Sequence, residues 1–155
     1  MVIDRTTLLF FDASCLIAAS GSPSGGSGFL LDLVRRGLLQ GTVSQAVLLE
    51  AERNIQAKLR SQALGNYHSL LIDTRLLVAP IPRLTGSEGW RAEVNDKDAH
   101  VAAAALAIHA EYLVSLDRQL NAQVNAGHVH LHAVTPGDFI KLILPHHVDY
   151  PEARN

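Results

Sequence analysis

The sequence predicts an α/β domain with a mainly parallel sheet covered by helices, and three observations carry that expectation. Continuous apolar runs at residues 6–11, 76–81 and 112–116 read as strands buried on both faces. Segments of helical periodicity separate them. Two of the runs end on an acidic residue, Asp12 and Asp117. Alternating strands and helices call for right-handed crossovers, hence a parallel sheet.

A chain of 155 residues is the size of one domain with one core. A hydrophobic content of 48% with 18% charged residues excludes a disordered or collagen-like chain. Lys and Arg number 13 against 15 Asp and Glu, so the strong positive balance of many nucleic-acid binders is missing and such a partner must be argued from a site. The single cysteine, Cys15, has no partner for a bridge and sits in an apolar stretch, which points to a reducing compartment. The opening residues carry no basic segment, and the longest apolar window, residues 101–108, is far below the ~20 residues that span a membrane. A cytoplasmic protein without a membrane partner is expected.

The first strand, residues 6–11, stops at Asp12. Residues 20–28, rich in Gly, Ser and Pro, read as a loop, with Ser27 capping a helix over 28–36 that ends at Gly37. A short strand at 41–43 leads to Ser44, the N-cap of a long helix over 45–64 whose Leu48, Ala51, Ile55 and Leu59 share a face. Residues 76–81 form a buried strand closed by Pro80 and Pro82, and 85–89 a polar loop. Asn95 or Asp96 caps an alanine-rich helix over 97–110, and the strand 112–116 follows. A β-rich segment at 129–134 leads into a last helix over 138–144, stopped by Pro145. The domain is expected to span residues 1–145, with 146–155 as a tail.

Asp12 and Asp117 stand out because ligands of open α/β sheets bind beyond the carboxyl ends of the strands. Either carboxylate alone would also suit a turn or an N-cap. Asp98, in the first turn of its helix, and Asp96 beside it are favoured there by the helix dipole without any chemical task. Glu50 lies within a helix, and Glu52 and Glu93 compete with it. Spacing alone does not choose among them. His128, His130 and His132 alternate along one segment without a cysteine or carboxylate cluster beside them, which argues against zinc. Residues 20–28 lack the pattern of a phosphate-binding loop.

Four stretches together resemble a known family. Leu8-Leu9-Phe10-Phe11-Asp12-Ala13-Ser14 is similar to the opening strand and first acidic residue of PIN domains, and Val43-Ser44 with Val47-Leu48-Leu49-Glu50 to their second acidic element. Asp96-Lys97-Asp98-Ala99-His100 resembles the third, and Tyr112-Leu113-Val114-Ser115-Leu116-Asp117 the fourth. Ser14 stands where many members carry Asn, and Ser115 where many carry Thr. Bacterial toxins of toxin–antitoxin pairs are the group most resembled.

The resemblance implies a three-layer sandwich and a metal-dependent endoribonuclease that hydrolyses RNA phosphodiester bonds. It assigns Asp12, Asp98 and Asp117 to Mg²⁺ or Mn²⁺, and Glu50 to the metal or to orienting water. Ser14 and Ser115 become candidates for orienting those carboxylates or touching phosphate. Arg53, Lys58, Arg91, Lys97 and Arg118 are placed to meet RNA, although such cations usually serve only as solvated surface. An RNA substrate, an antitoxin partner and a homodimer follow from the same likeness.

The alternatives are a PIN-like module that binds RNA or protein without cutting, a phosphotransfer enzyme with Asp12 as nucleophile, and a receiver domain. Intact acidic residues argue against the first. The second would resemble an Asp-x-Asp signature, where this chain has Asp12-Ala13-Ser14. The third would want an acidic pair before its Asp and a later Lys at a strand end, and neither is present.

Overall fold

A computed structural model describes residues 1–83, 88–127 and 129–155 of the protein. Five parallel strands form one sheet in the order β3-β2-β1-β4-β5: β1 (Leu8–Phe11), β2 (Gln40–Ser44), β3 (Leu77–Ala79), β4 (Tyr112–Val114) and β5 (His132–Val134). The α/β class is as expected. Leu9, Phe10 and Phe11 of β1 are fully buried, as a central strand with both faces covered demands.

Helices α1 (Ala13–Gly21), α2 (Gly26–Arg35), α3 (Gln45–Lys58), α4 (Ser61–Thr74), α5 (Ala99–Ala107) and α6 (Arg118–Ala126) fill the crossovers. The alanines of α5 from Ala102 to Ala105 are buried, and such small side chains let the helix lie close to the sheet. Ser44 caps α3 as the sequence indicated, its Oγ accepting from Val47 N at 3.2 Å. Gly37 closes α2 with φ +76, Leu38 N reaching Leu33 O at 2.9 Å, a left-handed turn that favours glycine.

Several boundaries differ for physical reasons. The loop expected over 20–28 shrinks to 22–25, because α1 runs on through Gly21 and α2 begins at Gly26 with Gly25 as its cap; Ser27 is buried inside the helix. Gly28 permits this tight return, since a Cβ there would meet Pro23 O at 2.0 Å. The helix expected over 45–64 is two helices with Leu59 and Arg60 extended between them. The break lets α4 fold back so that Tyr67 is buried and donates to Leu48 O at 3.0 Å. Tertiary packing, not local propensity, sets it.

The segment read as buried strand 76–81 is the edge strand β3, with Leu77 and Val78 exposed. The expected loop at 85–89 lies outside the described residues over 85–87. The helix expected over 97–110 starts as a 3₁₀ turn, Asp96–Asp98, and neither Asn95 nor Asp96 caps it through its side chain. Helix α6 fills the interval between Asp117 and the last strand, where the sequence analysis places no element.

Beyond β5, Thr135 caps a helical run through α7 (Pro136–Asp138), a π segment (Phe139–Ile143) and a 3₁₀ turn (Leu144–His146). Pro145 sits within that turn rather than stopping it. The segment expected to be a tail is packed against the N-terminus. Buried His147 bonds Leu38 O at 2.7 Å, Val148 N donates to Ile3 O at 3.0 Å, and Arg5 pairs with Asp149 and Glu152 at 3.0 Å. No described helix is long and apolar enough to cross a membrane.

Candidate functional site

The site begins where β1 and β4 end side by side. Their register pairs Phe11 with Val114, and Asp12 N donates to Val114 O at 3.0 Å, so Asp12 and Ser115 leave the sheet as neighbours. Ser115 is fully buried, and its Oγ donates to Asp12 Oδ2 at 2.7 Å. Ser14 Oγ donates to the same oxygen at 3.0 Å and accepts from Leu116 N at 3.0 Å. Asp117 N donates to Ser115 Oγ at 3.1 Å, while Asp117 Oδ1 caps α6 by accepting from Leu120 N at 3.1 Å. One buried hydroxyl therefore links the Asp12 carboxylate to the backbone amide of Asp117.

Glu50 enters from the second turn of α3 and Asp98 from the start of α5. Asp12, Ser14, Glu50, Asp98 and Asp117 line one cleft of about 620 Å³, together with Ile17, Ala46, Leu49, Arg53, Asn54, Lys97 and His100. Ser115 lies beneath it, in contact through Asp12. A second cavity, about 450 Å³ beside α2 and α4, contains none of these four carboxylates.

The crowding of like charge has electrostatic consequences. Glu50 is pushed above its ordinary value of 4.5, first by partial desolvation and then by Asp12 and Asp98, with His100 and Lys97 acting in the opposite sense. Asp98 is raised above 3.8, again mainly by desolvation, with Asp117 and Asp12 adding to the rise while Lys97 and His100 oppose it. Burial, with Asp12 beside it, lifts the Cys15 thiol to about 12, which rules it out as a nucleophile near neutral pH.

The competing acidic residues fall elsewhere. Neither Glu52 nor Glu93 lines the cleft, and Asp96, with a side chain 95% exposed, pairs with Arg91 at 3.0 Å. His132 packs against Tyr112 with ring centroids 5.6 Å apart, and His128 lies outside the described residues. Arg118 stands 4.0 Å from Asp138 on the exposed face of α6.

Two residues were missed in the sequence. His100 lines the cleft with its Nδ1 buried and unpartnered among the described residues. Its place two positions after Asp98 was the available signal. Asn121 is buried behind Ser115 and donates to Ser115 O at 2.9 Å. The N-cap at Asp117, with Leu120 and Val124 four apart and Gly127 after them, would have revealed the helix that carries it.

The donor set is all oxygen and suits a hard divalent cation. Asp12 Oδ1 and the carboxylates of Glu50 and Asp98 have no hydrogen bond or ion pair among the described residues. Also among the described residues, no three His, Cys, Asp or Glu side chains gather closely enough to hold a metal by themselves. Mg²⁺ does not demand that: it commonly keeps several waters and takes one or two carboxylates directly.

These features define an α/β protein with an acidic cleft at the carboxyl edge of its sheet. The chain belongs to the PIN-domain family, whose sequence model matches residues 9–119, a stretch that takes in all four acidic positions. Among solved structures it is similar to a chain of VapBC2 from Rickettsia felis, determined bound to a DNA fragment from their promoter. That likeness has a TM-score of 0.59 at 14% identity over 83% of this chain and 98% of the other, and it speaks for the fold. No curated protein matches the sequence.

Proposed function

We propose that the protein is a cytoplasmic, metal-dependent endoribonuclease that hydrolyses RNA phosphodiester bonds. The observation that carries the reading is the convergence of Asp12, Glu50, Asp98 and Asp117 on one cleft in a chain of the PIN-domain family. Asp12, Asp98 and Asp117, with Glu50 as a further ligand or as the group that orients water, are the residues that would hold Mg²⁺ or Mn²⁺. When bound, such an ion supplies activation of water and neutralisation of charge on the phosphate.

The chain's own residues do the rest. Ser14 and Ser115 hold Oδ2 of Asp12 in place, and the Leu120 amide holds Oδ1 of Asp117. Glu50, which has no hydrogen bond or ion pair among the described residues, is left available to orient attacking water. The likeness to VapBC2 supports the further reading that the protein is the toxin of a toxin–antitoxin pair, with an antitoxin as its partner.

The test is incubation of the purified protein with RNA. Cleavage is expected with Mg²⁺ or Mn²⁺ and should stop when EDTA is added. Cleavage indifferent to EDTA would remove the metal from the reading, and failure to cut any RNA would favour a module that binds without cutting.

A further inference from the structure

The face of α3 that turns away from the core presents an ordered set of side chains. Val47, Ala51 and Ile55 are buried, whereas Ala46, Leu49, Glu50, Arg53 and Asn54 line the cleft at the spacing of one helical stripe. Along that stripe the character changes from apolar to acidic to cationic. Leu49 is 51% exposed, and Ile17 of α1 lines the same cleft, so the apolar end of the stripe is open to a ligand. From Leu49 to Arg53 the helix axis advances about 6 Å, the scale of one nucleotide step.

In the same cleft, Lys97 precedes Asp98 in the 3₁₀ turn. Lys97 and Arg53 share this cleft with four carboxylates, yet neither forms an ion pair among the described residues. Two cations from different elements thus stand in the cleft without a close ion-pair partner among the described residues. A polyanion laid across four carboxylates meets strong repulsion, and fixed cations flanking them offset it where the strand enters and leaves.

We propose that Arg53 of α3 and Lys97 of the 3₁₀ turn form a phosphate clamp drawn from two elements that positions an RNA strand over the carboxylates, while Leu49, with Ile17 and Ala46 in the same cleft, takes the face of a base. The proposal rests on the nuclease reading above. It makes Arg53 and Lys97 substrate-binding residues with no part in proton transfer.

The experiment is steady-state cleavage of a labelled single-stranded oligoribonucleotide with Mn²⁺ at several salt concentrations. Arg53→Gln and Lys97→Gln should each raise KM about three- to tenfold with kcat held within about twofold, and each should reduce the salt slope of log kcat/KM by about 0.7. Arg53→Lys should keep the slope. Leu49→Ala should raise KM without altering the slope, and Lys58→Gln, on the exposed end of α3 outside the cleft, should change neither. Active wild type with unchanged slopes in both charge variants overturns the clamp and leaves the nuclease reading standing. Inactive wild type overturns both.

Discussion

The two walls of the acidic cleft are built differently. On the strand wall, Asp12 is 8% exposed and receives two hydroxyl bonds, and Asp117 is fixed as a helix cap. On the helix wall, Glu50 and Asp98 have no such partners among the described residues, and both hold their protons more tightly than ordinary carboxyls. The first wall is preorganised by neutral donors. The second carries partly desolvated carboxyls and like-charge repulsion that Lys97 and His100 offset only in part. Binding a cation would therefore reorganise the helix wall more than the strand wall, with α3 and α5 as the elements that respond.

The largest effect that would break this contrast lies on the strand wall. Ser115→Ala deletes the bond to Asp12 Oδ2 and strands the Asp117 amide. We expect a loss of about 1–3 kcal/mol in stability, seen in urea titration, and about 10- to 100-fold in cleavage, since supporting partners of ligating carboxylates typically matter that much. A variant with wild-type activity would show that Asp12 needs no such support.

A smaller effect sharpens the contrast from the helix side. Because the folded-state pKa of Asp98 is raised, folding favours its protonated form, and that advantage is present below the ordinary value of 3.8 and is lost as pH rises through the folded value. Without metal, stability should therefore fall as pH climbs through this window, and Glu50, raised from 4.5, should extend the fall. Asp98→Asn should flatten the decline and melt at the same temperature as wild type or a few degrees higher near pH 7. Melting several degrees lower would mean that Asp98 is a structural cap.

The strand wall was also the part most legible in the sequence. Asp12 and Asp117 close apolar runs, and a residue at the carboxyl end of a buried strand is placed by the sheet itself. Ser14 and Ser115 each lie two residues from one of these carboxylates, Ser14 in the first turn of α1 and Ser115 just past β4. The helix wall was not legible in that way. Only family likeness singles out Glu50 and Asp98 from Glu52, Glu93 and Asp96, because which way a helical carboxylate points depends on how α3 and α5 dock. The split after Lys58 and the packing of residues 146–155 against Ile3 and Leu38 likewise depend on contacts between distant segments. Helix α6 differs: its cap, spacing and closing glycine are all present in the chain.

The central claim, that the cleft's carboxylates form one cation site, is tested most directly by calorimetric titration of Mn²⁺ into the purified protein without RNA. Saturable binding is expected in wild type, with a marked loss of affinity in Asp12→Asn, which keeps an acceptor for Ser115 but removes the buried charge. A smaller loss is expected in Glu50→Gln. Absence of binding in wild type, or equal binding in wild type and Asp12→Asn, would contradict the account.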